Sequence, residues 1–168
     1  MPSVTERPQD EVGRRERGRV TASEVSWAAR ALQRAQVELD RALSARLHLR
    51  ALDYAAMSHM LGAESPLGPV ELASRLGISS GSGTELADRL EWAGQLHRRR
   101  AADGRRRVVL EPDEASVARM LGELAPLFRE LDALAGSFSP DEQAVIARYL
   151  SAAADHVRAH ADTLAGLA

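Results

Sequence analysis

The 168-residue chain contains no cysteine and no lysine. Without cysteine it has no disulfide bond, no thiolate metal ligand and no cysteine nucleophile. Its apolar runs are all shorter than the ~20 residues that a membrane-spanning helix needs. The charged N-terminal segment lacks the apolar core of a secretory signal. These absences predict a cytoplasmic protein with no membrane partner.

The sequence also lacks the motifs on which most catalysis depends. It has no Gly-x-x-x-x-Gly-Lys phosphate loop. It also has no nucleophile with a histidine and an aspartate at the spacings that known catalytic motifs use. His156 and His160 are four residues apart, as in half of a metal site, but no Glu-x-x-His pair completes it, so solvated histidines are the favoured interpretation. The sequence therefore predicts no enzyme, no metal and no cofactor.

Positive charge is concentrated in one short segment of an acidic chain. All 22 basic residues are arginines, and the net charge is −2. Residues 95–107 hold six Arg and one Asp, a local charge of +5. Such an asymmetry is typical of a surface that binds a polyanion.

Apolar residues at helical spacing predict long helices at both ends of the chain. Residues 1–20 are charged and poor in apolar groups, which predicts a disordered N-terminal arm. A capping box of Thr21 and Glu24 begins the first predicted helix, and a second one ends near Gly62. Ser139 is the expected cap of the last helix, with Pro140 at its first position.

The middle of the chain, "VELASRLGISSGSGTELADRLEWAG", predicts two helices joined by a tight turn. The run "SSGSG" resembles a flexible linker, but Ile78 alone separates the glycine stop Gly77 from the helix cap Ser79, which leaves no room for a hinge. The segments "QLHRRR" and "RRRVVLEP" flank "AADG" and predict a hairpin. Helix, turn, helix and basic hairpin together form a winged helix-turn-helix.

The predicted fold class is mainly α with a small β-hairpin wing. It consists of a winged helix-turn-helix lobe and a helical dimerisation lobe. The expected division of the single unit 21–168 is a dimerisation region made of 21–62 and 113–168 and a DNA-binding lobe of 63–112.

Two glycines in the second helix of this motif require an explanation, because each costs roughly 1 kcal/mol against alanine. Gly83 lies on the core-facing side and is expected to let two helices pack closely. For Gly81, close helix packing and close approach of DNA to the backbone are equally good interpretations.

This central segment resembles the MarR family of bacterial transcription regulators. The resemblance rests on three features. The first helix of the motif begins with Glu-Leu-Ala, the second contains Asp-Arg-Leu-Glu and ends at a glycine, and an Arg-rich wing follows. The matching residues are Leu67, Glu71, Leu72, Ala73, Asp88 to Glu91, and Gly94. The resemblance covers roughly residues 23–165 and implies a symmetric homodimer whose first and last two helices interlock.

The residues expected to contact DNA lie on the second helix of the motif, mostly at its start, and on the wing. They are Ser79, Ser80, Gly81, Ser82, Thr84, Arg89, Arg98, Arg99, Arg100, Arg105, Arg106 and Arg107. The family's wing commonly has Asp-x-Arg, which can be aligned here on either Arg105 or Arg106. Glu85 stands where the family often has a basic residue. It could accept a hydrogen bond from cytosine N4, although an ion pair with Arg89 is the favoured interpretation.

The resemblance also implies a small-molecule effector, bound where the first, second and fifth helices meet. Trp27, His48 and Met57 are the candidate ligand-binding residues, although core packing is the commoner fate of such side chains.

The predicted function is therefore a dimeric, sequence-specific regulator of transcription. It is expected to bind double-stranded DNA at an imperfect inverted repeat, as a repressor that an effector releases. The alternative is a protein-interaction dimer whose winged lobe no longer binds DNA.

Overall fold

The computed structural model describes residues 21–101 and 107–166 of the chain. In these residues it has six helices and one antiparallel hairpin, so the predicted fold class is confirmed. The elements are α1 Glu24–Arg46, α2 Ala51–Leu61, α3 Pro69–Arg75, α4 Ser80–Trp92, β1 Leu96–Arg100, β2 Val108–Pro112, α5 Glu114–Ala135 and α6 Pro140–Leu164. The predicted disordered arm 1–20 and the tip of the hairpin lie outside the described residues.

The chain divides after Val37 into two compact units, Met1–Val37 and Glu38–Ala168. In the first unit, Ser23 caps the start of α1, because its Oγ accepts the backbone N–H of Ser26 at 3.2 Å. The predicted cap at Thr21 is therefore wrong by two residues. Ser23 directly precedes the first helical residue, which is the position from which a hydroxyl reaches the N–H three residues ahead.

In the second unit, one apolar core joins α2, α3, α4 and the hairpin. Its fully buried large side chains come from each of these elements: Met57, Leu72, Leu86, Leu90, Leu96 and Leu110. Burial of each such side chain stabilises the fold by about 1.5–3 kcal/mol relative to exposure. Because α4 and the hairpin pack on the same core, their position relative to each other is fixed.

The helix-turn-helix is tight because its turn uses a left-handed glycine and its helices meet at another glycine. Gly77 has a φ of +65° and ends α3, as the sequence predicts. A Cβ atom at Gly83 would lie 2.5 Å from the Cβ of Ala73 and 3.1 Å from the carbonyl oxygen of Pro69. Only a residue without a side chain fits there, so the close packing predicted for Gly83 is confirmed.

The hairpin is anchored at its base and leads away from the core. Gly94 has a φ of +67° and turns the chain from α4 into β1. The register runs from Leu96 opposite Pro112 to Arg100 opposite Val108. The N–H of Leu110 also donates to the carbonyl of Leu67 at 2.8 Å, which ties β2 to the loop before α3.

The last two helices bury little of their apolar surface in the single chain. Asp113 caps α5, and Ser139 caps α6 in a reciprocal box with Glu142, as predicted for Ser139. Helix α5 places Ser116 and Met120 in buried positions, whereas α6 has no buried residue. Exposed apolar side chains on the two helices include Leu121, Phe128, Leu131, Leu134, Val145, Ile146, Tyr149, Leu150 and Val157.

Candidate nucleic-acid interface

Hydroxyl groups surround the beginning of α4, the second helix of the motif. The Oγ of Ser79 accepts the N–H of Ser82 at 3.2 Å and donates to the Oγ of Ser82 at 3.0 Å. The hydroxyl of Thr84 donates to the carbonyl of Ser80 at 3.0 Å. All four side chains are exposed. The cap fixes the local geometry and still leaves the hydroxyl proton of Ser82 and a lone pair of Thr84 available to a ligand.

Gly81 lies among these hydroxyls, and nothing crowds it. A Cβ atom there would have one neighbour within 4 Å, the Oγ of Ser79 at 3.9 Å. Helix packing therefore does not explain Gly81, in contrast to Gly83. The other interpretation of Gly81, close approach of DNA to the backbone, stays a prediction.

Arg89 does not pair with Glu85, and that favoured interpretation is wrong. Its guanidinium Nη2 donates to the carboxylate of Asp53 on α2 at 2.5 Å, and the side chain of Asp53 is only 9% exposed. The hydrogen bond from Arg89 to Asp53 is the main cause that raises the pKa of Arg89. The nearly buried carboxylate of Asp53 attracts Arg89 more strongly than the exposed carboxylate of Glu85 does, because less water competes for the ion pair. Arg89 thus joins α4 to α2, and its contact with DNA stays a prediction.

Arg98, on β1, is held by two acids of α4. Its guanidinium reaches Asp88 at 2.5 Å and also forms a short ion pair with Glu91. Its backbone N–H donates to Glu91 at 3.2 Å. Burial lowers the pKa of Arg98, but the hydrogen bonds to Glu91 and Asp88 together outweigh it, so the pKa is raised. These contacts fasten the first strand of the wing to the helix beside it.

Two further wing arginines have acidic partners. Arg99 donates to Glu111 on the facing strand at 2.7 Å. Arg107 donates to Glu71 at 2.5 Å, and Glu71 also accepts the N–H of Gly68 at the start of α3. For the wing arginines that the structure describes, the paired carboxylates lie outside residues 95–107. A charge count along that segment therefore overstates the positive charge of the folded wing.

Arg100 differs from these neighbours. It is exposed at the end of β1 and forms no ion pair or hydrogen bond with any residue in the described part of the chain. It borders an open cleft of about 420 Å³ whose lining includes Arg99, Arg107, Glu111 and Pro66. Arg105 and Arg106, the other two predicted wing contacts, lie outside the described residues.

The three candidate ligand-binding residues have different surroundings. Trp27, in the first unit, is half-buried. His48 is exposed in the break after α1 and has a φ of +56°. Met57 is fully buried within the core of the second unit. Met57 therefore has a packing role, and an effector site at these residues stays a prediction.

Within residues 21–101 and 107–166, no three histidine, aspartate or glutamate side chains are close enough together to hold a metal ion. None of the described helices is both long enough and apolar enough to span a membrane.

Sequence comparison gives one informative relative. No family model matches the chain. The chain is 34% identical over 96 residues to an uncharacterised HTH-type transcriptional regulator, YcgE, of Bacillus subtilis. The matched segment is 57% of this chain and 62% of that protein, so the chain spans less than two thirds of its relative's length.

Comparison of structures shows the fold. A MarR family protein from Bacillus stearothermophilus aligns over 80% of this chain and 94% of its own, with a TM-score of 0.60 and 21% identity. A mutant of MepR from Staphylococcus aureus aligns over 82% and 99%, with a TM-score of 0.64 and 13% identity. A MarR protein from Peptoclostridium difficile has a TM-score of 0.56 at 17% identity. None of these proteins is named as an enzyme. The chain has the winged helix-turn-helix fold of the MarR-family proteins.

Proposed function

We propose that the chain is a MarR-family transcriptional regulator that binds double-stranded DNA as a homodimer. The observation that carries the proposal is α4, an exposed helix start lined by hydroxyls and fixed on the same core as a basic hairpin. A helix N-terminus with free N–H groups favours phosphate, and serine and threonine hydroxyls bond to base edges or backbone. The relative named as an HTH-type regulator supports the same function.

The dimer is supported by apolar surface that the single chain leaves uncovered. Helix α6 exposes Val145, Ile146 and Tyr149 at helical spacing, and α5 exposes Phe128 and Leu134. Apolar side chains exposed together on one side of a helix usually mark an interface. A two-fold dimer through these helices would present two copies of α4, which would read half-sites about 10 bp apart in an imperfect inverted repeat.

We propose that the protein is a cytoplasmic repressor that a small-molecule effector releases from DNA. Trp27, in the first unit, and His48, in the second, remain the candidate effector contacts. Since Met57 is fully buried, any effect it has on the effector would be indirect.

A second candidate function is a protein-interaction dimer without DNA binding. The outward side of α4 carries Glu85 and Asp88, and Trp92 at its end is 91% exposed. A large exposed aromatic residue beside acidic groups is more typical of a protein contact than of a DNA contact. Three paired wing arginines also reduce the positive charge available to phosphate.

A gel-shift titration distinguishes the two functions. The test uses the DNA upstream of the protein's own gene and a scrambled duplex, each at several salt concentrations. The regulator should bind the upstream DNA more tightly, with an affinity that falls steeply as salt rises. Equal, weak binding to both duplexes would favour the interaction dimer.

Two arginine variants make the titration specific to the wing. Arg100→Ala removes a guanidinium that pairs with no acid in the described part of the chain. It should lower the slope of log affinity against log salt concentration by about one unit per site. Arg99→Ala is the matched control on the same strand, and its effect should be smaller because Arg99 already pairs with Glu111.

A further inference from the structure

Glu85 occupies the centre of the outward face of α4. The buried residues of this helix, Gly83, Leu86, Ala87 and Leu90, define the side that faces the core. At 100° per residue, Glu85 lies nearly opposite them, and its side chain is exposed. In a winged helix-turn-helix this is the face that enters the major groove.

The carboxylate of Glu85 is the acid of α4 that the fold leaves available. Asp88 and Glu91 both hold Arg98. Arg89, the cation four residues after Glu85, is committed to Asp53. Within the described part of the chain Glu85 has no hydrogen bond or ion pair, and its Coulombic attraction makes only a minor contribution to the raised pKa of Arg89.

The position of Gly81 gives this carboxylate access to a base edge. Long side chains on a helix lean toward its N-terminus, so Glu85 covers the turn that contains Gly81. Gly81 has no side chain, and the nearest neighbour of a Cβ built there would be 3.9 Å away. The surface in front of Glu85 is therefore open at the end of the helix that approaches DNA first.

A carboxylate can only accept hydrogen bonds, which restricts the base that it can read. In the major groove cytosine presents the N4 amino donor. Adenine presents its N6 donor beside the N7 acceptor, which repels a carboxylate. We infer that Glu85 is a specificity-determining residue that accepts a hydrogen bond from cytosine N4 in each half-site. This inference rests on the proposed DNA-binding function.

The negative charge of Glu85 also disfavours the wrong DNA. Repulsion between the carboxylate and the phosphates weakens binding to every duplex. The hydrogen bond to cytosine N4 offsets this loss of affinity only where a cytosine lies opposite Glu85. Glu85 therefore lowers affinity in general and raises discrimination between sites.

The test compares the full-length wild-type chain with Glu85→Gln. The glutamine has nearly the same shape but both donates and accepts, a pattern that matches adenine N6 and N7. Each protein selects its preferred sequences from duplex DNA with a randomised region, and affinities are then measured on the selected duplexes. Asp88→Asn is the matched control, because it removes one negative charge from the same face at a residue already held by Arg98.

We expect the wild-type sequence motif to contain one cytosine per half-site that Glu85→Gln replaces with adenine. Discrimination for that cytosine should fall about fivefold or more in the variant. Glu85→Gln should also bind unrelated DNA more tightly than the wild type. Asp88→Asn should keep the wild-type motif, although the release of Arg98 changes its affinity.

Identical motifs for the wild type and Glu85→Gln would overturn the inference while leaving the regulator intact. The same base change in Asp88→Asn would also overturn it, since charge alone would then explain the preference. A wild-type chain that selects no motif would refute the proposed function itself.

Discussion

Helices α4 and α6 use their apolar residues in opposite ways. Helix α4 buries Gly83, Leu86, Ala87 and Leu90 within its own chain, whereas α6 buries no residue at all. Both have amphipathic sequences, so the difference lies in what covers the apolar side. The winged region covers its apolar side within one chain, whereas α6 leaves its apolar side exposed, and the proposed dimer would cover that side. In the proposed function, the winged region recognises DNA and the terminal helices assemble the dimer.

The largest expected effect is the loss of the dimer when charge enters the apolar face of α6. Ile146, which is 39% exposed in the single chain, would be buried in the dimer, so Ile146→Asp would bury an unpaired carboxylate. Light scattering at micromolar concentration should give about 36 kDa for the wild type, twice the 18.2 kDa of one chain, and about half that for the variant.

Ser151→Asp is the control, because Ser151 lies on the opposite side of α6 and is exposed. This variant should remain dimeric. A wild-type monomer, or an Ile146→Asp variant that stays dimeric, would remove the contrast between the two helices.

The next effect concerns the ion pair that joins α4 to α2. Arg89→Met would leave the carboxylate of Asp53, 9% exposed, without its partner. Because Arg89 itself is about a third exposed, solvent screening reduces the expected loss to roughly 2 kcal/mol of unfolding free energy, measured by urea denaturation.

The double variant Arg89→Met with Asp53→Asn no longer contains the unpaired charge. It should therefore be more stable than the sum of the two single changes implies. Strict additivity would show that the pair contributes little to the attachment of α4.

A third effect, of similar size, separates the two glycines of α4. Gly83→Ala would force its Cβ to within 2.5 Å of Ala73, so we expect it to destabilise the chain by about 1–3 kcal/mol. Gly81→Ala meets open space and should stabilise the helix by up to about 1 kcal/mol. Thermal unfolding measures both.

Gly81→Ala should nonetheless bind DNA less tightly, since its methyl group lies where DNA approaches. Equal stability changes for the two glycines would contradict the close contact between α3 and α4.

The smallest effect is the dependence of stability on acid at the helix caps. Asp113 accepts the N–H of Ser116 at 2.9 Å, and this hydrogen bond lowers the pKa of Asp113 below its ordinary value of 3.8. The folded chain thus binds a proton less readily than the unfolded chain. The stabilisation is present above the ordinary pKa and is lost as pH falls through the lowered one.

Asp113→Asn should keep most of the cap but lose this acid dependence, because asparagine caps helices well and does not titrate in this range. Urea midpoints measured from pH 7 down to pH 3 compare the two. An unchanged acid dependence in the variant would assign it to other carboxylates.

Local rules predicted the elements of this fold, and long-range pairing limited the prediction of its site. Ser79, Gly77 and Gly94 act within one turn of the chain, so their roles could be inferred from their neighbours. Asp53 and Arg89 are 36 residues apart, and no spacing rule connects them. The i, i+4 rule instead suggested Glu85 as the partner of Arg89, whereas in the structure Arg89 pairs with the nearly buried carboxylate of Asp53.

The wing shows the same limit. Arg98, Arg99 and Arg100 were correctly placed on a hairpin strand, but the acidic partners of the described wing arginines come from α3, α4 and β2. A count of charge along residues 95–107 could not include carboxylates that only folding brings near. Glu71 was recognised as part of the helix start and not as a partner of Arg107.

The most direct test of the central claim is a footprint of the wild-type chain and of Ile146→Asp on the selected duplex. In the proposed function, α4 reads the bases and the terminal helices assemble the dimer. We therefore expect two equal protected half-sites for the wild type, about 10 bp apart and related by two-fold symmetry. The variant should lose that paired protection at the same concentration. A single unrepeated protected site for the wild type, or paired protection that persists in the monomeric variant, would contradict the account.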